Sequence, residues 1–111
     1  PAQWLLGLMY RKGQGVEQDF KEAVKWFRKA ADQGFAVAQS NLGVAYGMGI
    51  GVGQNNVTAY AWCDIAATNG EPDAQYNKSD VAKEMTPDQI AKAQELSKEM
   101  VKKNPKLLKK K

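Results

Sequence analysis

Sliding this 111-residue sequence against itself by 36 positions aligns residues 2–34 with 38–70 without a gap, with fourteen identities in 33 positions. The matches fall on small residues, glycines and aromatics: Ala2/Ala38, Leu6/Leu42, Gly7/Gly43, Tyr10/Tyr46, Gly13/Gly49, Gly15/Gly51, Ala23/Ala59, Trp26/Trp62 and Gly34/Gly70 among them. A third copy begins at Ala74-Gln75-Tyr76-Asn77 and then drifts away. A period in this range marks a solenoid or array, in which each unit buries its apolar face only by stacking on the next.

Each unit reads as two helices. The first is predicted over about 2–12, where Ala2, Leu6 and Tyr10 recur every four residues as one apolar stripe. Gly13-Gln14-Gly15 breaks it. Asp19 is expected to cap the second helix, with Glu22 three residues on to complete a capping box. Ala23, Trp26, Phe27, Ala30 and Ala31 form its apolar stripe, and Gly34 ends it. The next unit follows the same plan, with Asn55 at the cap and Gly70 at the stop. Small residues such as Gly7 and Gly43 let helices approach closely, and tryptophans and tyrosines fill the remaining space.

A third first-type helix is expected over about 72–84. Thr86-Pro87-Asp88-Gln89 is then a strong helix start, with Thr as cap, Pro at the first helical position and Gln closing a capping box. That helix runs to about Lys103. Its face of Ile90, Ala93, Leu96, Ser97, Met100 and Val101 opposes a face of Lys92, Glu95, Lys98 and Glu99. An atypical terminal unit with one polar face is how solenoids close an end. The expected architecture is all-α: an α–α superhelix with a C-terminal capping helix. It occupies 1–103, divided into repeats 2–37 and 38–73, a partial repeat 74–85 and a cap helix 87–103. A basic disordered tail is expected over 104–111.

The formal net charge is +4, yet six of the sixteen basic residues lie in the last ten positions. Residues 1–101 therefore hold ten basic against twelve acidic residues, a balance of −2. The basic character belongs to the lysine-rich end, where no aromatic residue interleaves, so nucleic-acid binding is not expected. No run of roughly 18 or more apolar residues suggests a membrane span. No leader-like segment is visible, and the compartment stays open. Histidine is absent and Cys63 is the single cysteine. The commonest general base and metal ligand are thus missing, and neither a cofactor nor a metal is expected.

The string Ala38-Gln39-x-x-Leu42-Gly43-x-x-Tyr46-x-x-Gly49-x-Gly51-Val52, with Ala23-x-x-Trp26-Phe27-x-x-Ala30-Ala31-x-x-Gly34, resembles the signature of the Sel-one-like repeat. These repeats are relatives of the tetratricopeptide repeat and stack into a right-handed superhelix. The resemblance covers 2–84, and Met85–Ile90 with Ala93-Gln94 is similar to the closing helix of bacterial members. It implies scaffold and adaptor roles without naming a partner. Two departures stand out: Asn56 replaces the aromatic Phe20, and Cys63 replaces Phe27. Some members tie each hairpin with a cysteine pair, which a chain with one cysteine cannot do.

Other readings are weaker. Gly47-x-Gly49-x-Gly51-x-Gly53 lacks the spacing and preceding strand of a phosphate loop. Cys63 takes an inward position and reads as core rather than as a reactive thiol. Some family members have been labelled β-lactamases, but no serine here has lysine three residues on, so a small hydrolase is a remote alternative. The surface opposite the core stripe of the first-type helices carries Trp4, Leu8 and Arg11, then Ser40 and Val44, then Tyr76, Asp80 and Lys83. The resemblance puts these on a concave face, and aromatic and arginine side chains anchor interfaces. The expected function is therefore binding of a protein or peptide partner without catalysis. Alternatively, Trp4, Leu5 and Leu8 form an apolar end through which the chain self-associates.

Overall fold

The computed structural model describes residues 16–108. Five α-helices run through them: α1 Val16–Asp32, α2 Ala36–Met48, α3 Asn56–Thr68, α4 Pro72–Ala82 and α5 Pro87–Lys103, followed by a 3-10 turn at Pro105–Leu107. No strand occurs among the described residues, as the all-α expectation requires. The helix expected over 2–12 lies outside them.

Local chemistry sets most helix ends. At the close of α1, Gly34 takes φ +94°, the Gly34 amide donates to Ala31 O and the Phe35 amide donates to Ala30 O. This Schellman pairing satisfies carbonyls that the helix end would leave open. The end of α3 repeats it, with Gly70 at φ +90° and Glu71 donating to Ala66 O. Asn55 caps α3 through its side chain, which accepts from the Thr58 amide at 3.1 Å. Thr86 and Gln89 form the expected reciprocal capping box on α5.

Asp19 is not a cap, because α1 already begins at Val16. In the second unit the equivalent stretch is Val52-Gly53-Gln54-Asn55, and Gly53 delays the helix until after Asn55. The first unit has Glu17 where Gly53 stands, a good helix former, so nothing stops the helix from starting earlier.

The helices pack as consecutive hairpins. α2 lies against α1 and α3, α3 is covered in turn by α4 and α5, and α2 also meets α4. The core joins Phe20, Val24, Phe27 and Ala31 of α1 to Ala38, Leu42 and Ala45 of α2 and Trp62 and Ile65 of α3. Gly43 permits the closest approach: a Cβ there would stand 2.5 Å from Cys63 Sγ and 3.1 Å from Ala59 O. On α5, Ala93 and Ser97 are buried, and the Ser97 hydroxyl donates to Asp64 of α3 at 2.8 Å.

Two departures from the sequence expectations matter. Trp26 and Trp62 hold the same place in successive units, yet Trp62 is 4% exposed and Trp26 65%. Trp62 belongs to the buried core cluster, whereas Trp26 has Lys29 Nζ 4.9 Å from its ring centroid and lies largely open. The second departure concerns the segment from Asn104 onward. It is not a disordered tail as far as Leu108: Pro105 starts a 3-10 turn and Leu107 is only 2% exposed.

Candidate functional groove between α2 and α4

The first-type helices α2 and α4 lie side by side, joined by the Asn77 amide donating to Ser40 Oγ at 3.1 Å. Beyond that bond, towards the C-terminal half of α2, a groove of about 340 Å³ lies between the two helices. Gly43, Val44 and Gly47 form one wall; Asn77, Asp80 and Val81 form the other; Cys63 and Asn56 of α3 line the floor. Lys83 and Glu84 also line it, bringing both signs of charge to one end. Asp80 and Lys83 sit 3.8 Å apart as an exposed i,i+3 pair, which holds little energy and leaves both free to turn to a partner.

The floor is chemically quiet. Burial pushes the Cys63 thiol up from 9.0 to about 12, the Lys78 charge pulling slightly the other way and Asp64 adding to the rise. A thiol held neutral is a poor nucleophile at physiological pH. Nearby, the Asp64 carboxylate binds Lys78 Nζ at 3.1 Å on one oxygen and the Ser97 hydroxyl on the other. This half-buried node fastens α4 and α5 to α3, and its geometry is that of a tether.

The side chains singled out from sequence separate into three sets. Val44, Asp80 and Lys83 line the groove together, and Tyr76, 70% exposed, stands one turn before Asp80 on α4. Ser40 does not belong with them: it is 1% exposed and engaged by Asn77. The cause is the closeness of α4, since the face of α2 opposite Leu42 is itself an interhelical face. Trp4, Leu8 and Arg11 lie outside the described residues, and so does the apolar end invoked for self-association. Sequence reasoning noted Asn56 as a departure from the repeat pattern but did not count it among the site residues. It stands where Phe20 is buried one unit earlier, and a polar side chain there leaves open space that an aromatic ring would fill.

The profile of the Sel1 repeat matches residues 1–35 and 36–71. The chain belongs to the Sel1 repeat family. Its fold agrees with the crystal structure of a protective antigen present in uropathogenic Escherichia coli strains, which displays an SLR fold. That structure superposes with a TM-score of 0.75 at 37% identity over 95% of this chain and 23% of the antigen. An uncharacterised protein of Neisseria meningitidis serogroup B is 49% identical over 41 residues, 37% of this chain and 9% of that protein. The chain thus spans under a quarter of the antigen's length and under a tenth of the Neisseria protein's. Sel1 repeat proteins are generally protein-interaction scaffolds, and the fold is typically non-catalytic. No helix among the described residues is long and apolar enough to cross a membrane.

Proposed function

We propose that this Sel1 repeat domain binds a protein or peptide partner along the groove between α2 and α4, and acts by recognition without chemistry. The observation that carries this reading is the composition of the groove: apolar side chains on both walls at Val44 and Val81, amide groups at Asn56 and Asn77, and opposite charges at Asp80 and Lys83. Such a lining offers an apolar seat, hydrogen bonds for a peptide backbone and charges that set its direction. Tyr76 extends the same face, and an exposed tyrosine supplies contact area at little entropic cost. The rigid two-sided packing of α2 holds the wall in place before a partner arrives, which lowers the ordering cost of binding.

A photo-crosslinking residue at Val44 tests this reading. Partners captured through it are expected to be lost when Tyr76→Ala and Lys83→Ala are combined, and kept when Trp26→Ala is introduced on a helix outside the groove. Capture that is insensitive to Tyr76 and Lys83 but lost with Trp26 overturns the assignment.

A further inference from the structure

The polypeptide after α5 doubles back across the ends of α1, α2 and α3, remote in sequence from all three. Asn104 Nδ2 donates to Asp32 O at 3.1 Å. Leu107 O receives two amide donors at 2.8 Å each, Gln39 Nε2 and Asn69 Nδ2. The two amides also hold each other, Asn69 donating to Gln39 Oε1 at 2.8 Å, while Gln39 reaches Ala31 O at 3.1 Å. Gln39 is fully buried. The Leu107 side chain enters the main core, and Gly34 makes room for the strand of chain above it, since a Cβ there would stand 2.5 Å from Lys106 O.

Every one of these grips reads a backbone group or a single leucine. None reads a lysine. That is the chemistry by which a protein recognises a short peptide: paired donors on one carbonyl, a pocket for one apolar side chain, and a glycine that lets the backbone come close. The segment is also shaped in advance. Pro105 fixes its φ, Asn104 Oδ1 accepts from the Lys106 amide at 3.3 Å, and the Leu107 amide donates to Asn104 O at 3.0 Å.

We propose that Asn104–Leu108 is a peptide ligand held in cis, and that the cleft formed by Gln39, Asn69 and Gly34 is a second peptide-binding site, which accepts from another chain a segment of the Asn-Pro-x-Leu-Leu kind. It lies at the N-terminal end of α2, whereas the groove with Val44 and Met48 lies towards the other end, so it stands independently of that reading. Covalent attachment gives the cis segment a high effective concentration, so a free peptide enters only as the segment leaves.

The test uses the full chain carrying Leu107→Asp, which expels the segment, and a fluorescent peptide of residues 104–111. Anisotropy is expected to show saturable binding at least tenfold tighter than to the unmodified chain. It is expected to vanish when Gln39→Ala is added, and with a peptide itself carrying Leu107→Asp. Helical circular dichroism establishes that each variant is folded. In the unmodified chain, excess peptide is expected to accelerate hydrogen exchange at the Leu107 and Leu108 amides, and this arm decides the matter if Leu107→Asp does not fold. No binding to a folded Leu107→Asp chain, unchanged exchange, or equal binding of the peptide lacking leucine overturns the proposal, the last because lysine charge alone then drives association.

Discussion

At Gly43 two opposing effects can be weighed. Alanine is the better helix former by about 0.5–1 kcal/mol. Its methyl group, however, falls 2.5 Å from the sulfur of Cys63, a residue that is itself buried, and 3.1 Å from the fixed backbone oxygen of Ala59. Overpacking a core typically costs about 1–3 kcal/mol, so Gly43→Ala is expected to be destabilising by about 1 kcal/mol in urea unfolding. Adding Cys63→Ala is expected to recover part of the loss, because Ala59 O, at 3.1 Å, remains tight. The thiol itself is expected to resist a disulfide-exchange reagent at pH 8 in the folded chain and to react once the chain is unfolded in urea. Its raised pKa also has a sign. Between about 9.0 and 12 the unfolded chain has released a proton that the folded chain keeps, so this group's contribution to stability falls as pH rises through that window. A Cys63→Ala chain is expected to lose less stability over the same range. Residue by residue, the inward place of Cys63 and the close approach at Gly43 were legible, because both follow from aligned small and large positions. The burial of Ser40 was not, since it depends on Asn77 of the neighbouring unit reaching back to it. Asn41 occupies the corresponding place one unit earlier, and its side-chain amide has no hydrogen-bond partner among the described residues.

At the scale of elements, starts and stops with a dedicated side chain were readable and those set by their surroundings were not. Thr86-Pro87-Asp88-Gln89 is self-contained: the Thr86 hydroxyl accepts from the Gln89 amide at 3.1 Å and Gln89 Oε1 accepts from the Thr86 amide at 2.9 Å. Thr86→Ala is therefore expected to cost about 1 kcal/mol, the usual worth of such a cap, seen as a lower denaturation midpoint at unchanged slope. Thr86→Ser is expected to cost little. By contrast, Asp19 carries the composition of a cap, yet Glu17 lets the helix begin before it. The 3-10 turn at Pro105–Leu107 was hidden for a different reason. Its lysines dominate the composition, while the groups that hold it, Gln39, Asn69 and the Asp32 carbonyl, lie 35 or more positions away and come from three other helix ends. Composition describes what a segment exposes, and Leu107 is held by what it buries.

At the scale of the whole molecule, translation along the sequence does not carry environment with it. Solenoid energetics are a sum of unit terms and nearest-neighbour terms, and an inward-facing side chain belongs to the second kind. Trp62 has neighbours: it is buried in one continuous core with residues of α1 and α2. Trp26, identical in residue and register, presents most of its ring to solvent with Lys29 lying across it. The two substitutions to alanine are thus expected to differ sharply although the sequence contexts match. Trp62→Ala removes a large buried side chain and leaves a cavity, a loss of about 3–5 kcal/mol. Trp26→Ala gives up a partly exposed cation–π contact worth about 0.5–1 kcal/mol. Equilibrium unfolding of the two variants, followed by helical circular dichroism, measures the contrast directly. Equal losses would mean that Trp26 is covered in solution as thoroughly as Trp62, and that burial in this stack follows the repeat rather than the neighbour.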